Sequence, residues 1–250
     1  MLTDAQCDQF EREGVVLLPD LLPPEFLQLL QSGADTARER VDRLMDACGV
    51  DQLDINLRGQ RYFSVNPSQD RPALYRFICS DLMADIARQL LGDTVFVFWE
   101  QYVIKGPDVD RRSRFRWHQD SAYVPYPHRR YLTCWCALDQ MDATNGTVRV
   151  LPFSRGPAEA VPHRRDPQTD ELIGYDGPDP GDPIHCPAGS VAFFTSHTLH
   201  ASDCNHSDRY RRVYLIQYAT EVVRSPAGDD APYGRSEVLW LDGRRMLRVD

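Results

Sequence analysis

The chain has 250 residues, 42% of them apolar and 26% charged, with a formal net charge of −9 and a sequence pI near 5.2. That length buries a sizeable core, and the composition is that of an ordinary globule rather than a fibrous or disordered chain. The acidic balance argues against a nucleic-acid partner, and no apolar run is long enough to span a membrane.

Seven cysteines at irregular spacing include no Cys-x-x-Cys pair. With no charged-then-apolar leader pattern at the start, a reducing cytoplasm is the expected location. Thr3 and Gln6 predict a capping box on a helix running to about Glu13, ended by Gly14. Val15 to Leu18 reads as a short strand closed by Pro19. A longer helix then opens at Pro23-Pro24 and repeats Phe26, Leu27, Leu30, Ala34, Ala37, Val41, Leu44 and Met45 at helical spacing, up to Gly49. Residues 51–68 have no clean period and are expected to form an ordered loop, lining a pocket or packing on the surface. Pro72 to Leu91 reads as one helix, stopped by Gly92.

Strand signals dominate from Thr94 to Ile104 onward. Tyr131 to Leu138 is β-rich, with Cys134 and Cys136 as small buried hydrophobes. Asp142 to Gly146 is a turn, and Thr147 to Leu151 the next strand. Residues 156–186 form a Pro-, Asp- and Gly-rich excursion, a lid or a crossing loop. Ser190 to Thr195 and Arg212 to Thr220 follow as strands, with Val238 to Leu241 as an edge. Helices first and strands afterwards predict a mainly β fold with flanking helices, a double-stranded β-helix (jelly-roll, cupin-like) buttressed by the N-terminal helices. A single domain over 1–250 is expected, helical over 1–92 and β over 93–250. No Gly-rich phosphate loop or Gly-x-Ser-x-Gly elbow is present.

The richest stretch chemically is Arg114 to Tyr123, Arg-Phe-Arg-Trp-His-Gln-Asp-Ser-Ala-Tyr. His118 and Asp120 are one residue apart, so an extended backbone presents both on one face. They are two legs of the two-histidine, one-carboxylate set that holds ferrous iron and leaves coordination positions open. His-x-Asp alone is common by chance, so a third donor must be found. His128 and His163 lie in Arg- and Pro-rich loops, His185 in the excursion, and His197 and His206 in polar turns. His200 follows the strand ending at Thr195, where the mouth of a barrel is expected. Arg211 enters the next strand and suits bidentate pairing with a carboxylate, to which Ser202 could also donate. A one-residue change of register would substitute Arg212 and point it to the opposite face. The basic run Arg111, Arg112, Arg114 and Arg116 reads as an attractor for an anionic substrate or as a solvated loop.

In order and spacing the chain resembles the phytanoyl-CoA dioxygenase family. The resemblance rests on His118-Gln-Asp120, Trp135 in Thr-Cys-Trp-Cys-Ala-Leu-Asp, Asn145-Gly146, Val150-Leu-Pro-Phe-Ser154, and His200-Ala-Ser202 with Asn205 and Arg211. The opening Phe10-Glu-Arg-Glu-Gly14-Val-Val with Leu21-Leu22-Pro23 is similar too, so most of the chain is covered. The resemblance implies a non-haem iron(II) and 2-oxoglutarate-dependent oxygenase on a double-stranded β-helix. Carried over, the iron ligands and catalytic centre are His118, Asp120 and His200. Arg211 and Ser202 would hold 2-oxoglutarate, with Trp135 beside it and Gln101 as a further contact. One departure is Pro152-Phe153-Ser154-Arg155 in place of the family's Pro-Gly-Ser-His, which leaves Phe153 to reach a partner or a pocket. Halogenating relatives replace the carboxylate with a small residue, so Asp120 favours hydroxylation.

The expected function is oxidation of a C–H bond in a small metabolite with O2 as cosubstrate, releasing succinate and CO2, as in a biosynthetic tailoring step. Trp117, Tyr123, Phe63 and Arg116 are candidate substrate contacts, with Tyr126, Trp99 and Arg129 as further wall or charge positions. The substrate stays open between an acyl thioester, an amino acid and a polycyclic product, as does hydroxylation against desaturation, epoxidation or cyclisation. Two other readings are a catalytically silent barrel that binds a small ligand and a zinc or manganese cupin-like enzyme. Oligomeric state is not legible.

Overall fold

In the computed structural model, which describes residues 1–108, 112–167, 169–225 and 231–248, the chain opens as the capping pattern predicts. Arg111 of the basic run lies outside the described residues. Helix α1 (Asp4–Glu13) starts on Thr3, whose side chain and Gln6 cap one another reciprocally. It stops at Gly14, where φ is +71° and any Cβ would press into the Phe153 ring. Phe153 therefore packs over the end of the first helix and is not among the residues that line the cavities described below, and its N–H donates to Glu13 O at 3.0 Å.

Strand β1 (Val15–Leu18) leads to α2 (Pro24–Cys48), then to β2 (Gln52–Leu53), β3 (Asn56–Leu57) and β4 (Arg61–Val65). Half of the expected loop over 51–68 is thus strand. Its period was hidden because Tyr62 packs under the helices while the alternate residue Phe63 faces a cavity, leaving no polar side. The single helix expected over 72–91 is two, α3 (Pro72–Ile78) and α4 (Asp81–Leu91), because Ser80 caps the second through Met83 N. Then come β5 (Val95–Lys105), β6 (Phe115–His118), β7 (Leu132–Ala137), β8 (Val148–Leu151), β9 (Arg164–Arg165) and β10 (Leu172–Ile173). The chain continues through β11 (Asp182–Pro183), β12 (Val191–Thr195), β13 (Leu199–Ser202), β14 (Arg211–Ala219), β15 (Val238–Leu241) and β16 (Arg244–Arg245).

The larger antiparallel sheet runs β1-β12-β7-β14-β5-β4-β3-β2, with β15 also on β5; the smaller runs β11-β8-β13-β6. This is the mainly β, jelly-roll arrangement that the sequence predicts. Strand β7 shows how the layers form. Cys134 and Cys136 point outward into the helical layer, against Leu30, Phe77 and Ile86 among others. Trp135 and Ala137 point inward, into the core shared with Val148 and Val150 of the smaller sheet. Both faces are covered, so every residue of β7 is buried. Helix α2 lies so close that a Cβ at Gly33 would collide with the Tyr102 hydroxyl. The excursion is folded on: β9 pairs with β10, and β11 edges β8. Among the described residues no helix is long and apolar enough to cross a membrane.

Candidate metal centre and active site

Strand β6 ends at His118, yet Gln119 keeps an extended backbone (φ −110°, ψ 137°) before Asp120 begins a 3-10 turn. Alternation therefore still brings Asp120 round to the side of His118. Gln119 points the other way, donating to the carbonyls of Glu159 and His197 and accepting from Val161 N. His200 lies within β13 rather than beyond a strand, directly opposite His118 in the ladder. One donor atom from each of His118, Asp120 and His200 falls within 4.8 Å of the others.

The atoms facing inward are already sorted. His118 Nδ1 donates to Arg116 O at 2.7 Å, and His200 Nδ1 to Thr198 O at 3.0 Å. Both rings thus turn Nε2 toward the shared point. Asp120 Oδ2 accepts from Thr133 Oγ1 at 2.7 Å and from Gln217 Nε2 at 3.0 Å. That leaves Oδ1, 3.4 Å from His200 Nε2. Outer partners that lock tautomer and carboxylate rotamer are what a metal site needs. Sequence reading missed Thr133 and Gln217. Their signal was polarity at inward positions of two β-rich runs.

Burial, and then the neighbouring His200, push His118 down to about 3, so its imidazole stays neutral. Burial alone would raise Asp120, but the His200 charge and hydrogen bond outweigh it and hold the carboxyl down at about 2. His200 is raised in return, Asp120 prevailing over burial. A neutral donor, a carboxylate and an imidazole that must shed its proton form a site made for a cation.

Beside the three donors lies a cationic corner. Arg211 is 2% exposed and Lys105 0%, and they are cross-strand partners on β14 and β5. Arg211 donates to Gly146 O at 2.6 Å, while among the described residues its buried Nε has no hydrogen-bond partner. Lys105 Nζ donates to Ser202 Oγ at 2.7 Å and to Asp203 O at 2.6 Å. Burial pulls Arg211 down to about 10 and Lys105 well below its ordinary value. Trp135 lies under Arg211, 5.8 Å from ring centre to guanidinium carbon. Arg211, Ser202, Trp135 and Gln101 all line the cavity that holds the three donors. The alternative Arg212 points outward to Asp139 and Asp35. Lys105 was also missed; its signal was a lone lysine closing the apolar run Tyr102-Val-Ile104.

A second cavity of about 420 Å³ opens from His118 and Asp120 between Phe63, Phe98, Trp99, Tyr131 and Tyr233. Tyr123 lines it as well, its ring edge-on to His118. Trp117 does not; it packs against Tyr175 of the excursion, because the strand turns it away from His118. Arg116 pairs with Asp176 at 3.4 Å and lines a separate polar cavity. Arg129 pairs with Glu221 on the surface, and Tyr126 packs on Tyr233 behind the wall.

A model of the phytanoyl-CoA dioxygenase family matches residues 10–213. The chain belongs to the phytanoyl-CoA dioxygenase family. Among curated relatives, the "Probable alpha-ketoglutarate-dependent hypophosphite dioxygenase" of Stutzerimonas stutzeri is 29% identical over 73% of this chain, a match spanning 65% of that protein's length. The ectoine dioxygenase of Stutzerimonas stutzeri (strain A1501) is 26% identical over 90% of this chain and 80% of its own. Among solved structures, the epimerase SnoN, in complex with Fe3+, alpha ketoglutarate and nogalamycin RO, aligns with TM-score 0.69 at 17% identity, covering 96% of both chains. EctD from S. alaskensis, with 2-oxoglutarate and 5-hydroxyectoine, gives TM-score 0.68 at 21% identity, covering 98% of this chain and 88% of its own. At those identities the structural likeness speaks to the fold. For a phytanoyl-CoA dioxygenase family chain, that fold is the jelly-roll of 2-oxoglutarate-dependent oxygenases.

Proposed function

We propose that this protein is an iron(II)- and 2-oxoglutarate-dependent oxygenase, one domain over residues 1–250, that hydroxylates a C–H bond of a small metabolite in a biosynthetic route. The observation that carries the reading is the pairing of a two-histidine, one-carboxylate trio with two buried cations beside it. His118, Asp120 and His200 would hold the iron. That donor set fits it: two neutral Nε2 lone pairs and one free carboxylate oxygen leave other positions open. The bound iron and 2-oxoglutarate would supply the oxidising power, with O2 consumed and succinate and CO2 released.

The protein's own residues provide position. Among the described residues neither Arg211 nor Lys105 forms an ion pair with a carboxylate, and Arg211 Nε is left without an acceptor. A dicarboxylate cosubstrate fits that deficit, its far carboxylate meeting Arg211 and the Ser202 hydroxyl. Because Ser202 Oγ already accepts from Lys105, its own proton is free to donate. Trp135 and Gln101 would flank the cosubstrate. Thr133 and Gln217 hold Asp120 to a single presenting oxygen. Phe63, Trp99 and Tyr123 would wall the substrate and exclude water around the reacting carbon.

The substrate is a small molecule, as it is for the relatives named above. Free cysteines, five of them buried, fit a reducing cytoplasm. The reading is tested by adding Fe(II) and 2-oxoglutarate without oxygen and following the visible absorption of the chelate. An intact band that vanishes in Asp120→Ala supports the ligand assignment; a band that this substitution leaves unchanged refutes it.

A further inference from the structure

Next to the aromatic chamber lies a polar cavity of about 450 Å³ onto which Arg61, Arg112, Arg114 and Arg116 converge. Chamber and cavity share the wall built by Arg61, Thr169 and Glu171. Four guanidiniums meet there against two lining carboxylates, Asp166 and Glu171, in a chain whose formal net charge is −9. Three of the four arginines are also held in place. Arg61 donates to Ile55 O and Arg112 O and lies 3.7 Å from Glu171; Arg112 donates to Gln52 Oε1. Arg116 is paired with Asp176. Among the described residues the Arg114 side chain makes no hydrogen bond or ion pair. Burial pulls Arg61 below its ordinary value; Glu171 opposes the shift and Arg112 adds a smaller push in the same direction as burial. A solvated basic surface would spread these groups apart, whereas here they face one concavity that opens beside the reaction chamber.

We propose that this arginine vestibule binds an oxyanion group of the substrate, a carboxylate or a phosphate, while the substrate's apolar body lies in the aromatic chamber against the metal trio. The inference rests on the oxygenase reading and adds the substrate class, an amphiphilic acid. Arginine suits the task because its planar fork grips carboxylate and phosphate in two places at once. Arg61 and Glu171, at the shared wall, would set where the anionic end stops and which carbon reaches the trio.

The test is calorimetric titration with four probes of equal chain length: octyl phosphate, octanoate, octan-1-ol and octyltrimethylammonium. The two anions should bind at least tenfold tighter than octan-1-ol, and the cation more weakly still. A preference between octyl phosphate and octanoate identifies the oxyanion. In an Arg112→Ala/Arg114→Ala variant the anion preference should fall at least tenfold while octan-1-ol binding holds. Both side chains are exposed, so core packing is spared. Equal binding of octan-1-ol and the anions, no binding of either anion, or an unchanged preference in the variant overturns the proposal. The Fe(II)/2-oxoglutarate band is recorded on the same samples. Its absence in the unaltered protein strikes the oxygenase reading, whereas an intact band without anion preference strikes the vestibule alone.

Discussion

Lys105 is wholly withdrawn from solvent, bonded to one hydroxyl and one carbonyl, with Arg211 as its cross-strand neighbour. In the absence of cosubstrate that is a costly place for an ammonium. Replacing a buried charge by an apolar side chain of similar length is commonly neutral or stabilising. We therefore expect Lys105→Met to stabilise the 2-oxoglutarate-free protein by about 1–2 kcal/mol, about 2–8 °C in melting temperature for a chain of this size. Cosubstrate affinity should move the other way. A carboxylate held by Ser202 would sit about 6 Å from the ammonium, worth roughly 2–3 kcal/mol at an effective dielectric near 20. That weakens 2-oxoglutarate binding by about 25- to 150-fold.

The pH dependence follows in sign. Burial, and then Arg211, hold the folded-state pKa well below 10.5. The unfolded chain thus binds the extra proton between the folded value and about 10.4, and stability climbs with pH over that interval. Lys105→Met should flatten this climb. Cosubstrate favours the ammonium, so its affinity is lost as pH rises through the pKa of Lys105 in the complex. Thermal melts with and without 2-oxoglutarate, and anaerobic titration of the chelate band, measure both halves. A variant that is less stable without cosubstrate by more than about 1 kcal/mol, or that binds it as tightly as before, refutes this account.

Three further outcomes are expected. Gln217→Leu with Thr133→Val removes both donors to Asp120 Oδ2 and should weaken Fe(II) binding about 10–100-fold, read from the metal concentration needed to develop the band. Glu100 is fully buried and accepts from Ser68, Tyr214 and Arg235. Glu100→Ala removes the buried acceptor shared by Ser68, Tyr214 and Arg235, although Arg235 keeps its pair with Glu237, and should cost about 3 kcal/mol in urea unfolding, leaving the metal trio in place. Gln119→Ala cuts the three side-chain hydrogen bonds that fasten residues 159 to 161 and 197 beneath the metal strand. Trypsin should then cleave sooner at Arg164 and Arg165, and an unchanged cleavage rate would show that the tether is not what holds the excursion down.

The linear chain was enough to determine the family, the order of helices before strands, and the positions at which the trio would be sought. Those properties depend on local periodicity, capping residues and spacing, which the residues carry wherever they end up. The break at Ser80 and the strands of 51–68 needed the structure. One hangs on a single cap, and the other has packed residues on both faces, so alternation loses its polar half. Which arginine faces inward, and what surrounds it, was a tertiary matter. Arg211 and Arg212 are alike as neighbours in sequence, and the ladder with Lys105 and Ile104 settles their sides. Folding alone brought Lys105 behind Ser202, set Thr133 and Gln217 on the far oxygen of Asp120, and turned Trp117 toward the excursion. Each of those contacts joins residues distant in the chain, and what creates them is the stacking of two sheets rather than any property of the residues next door.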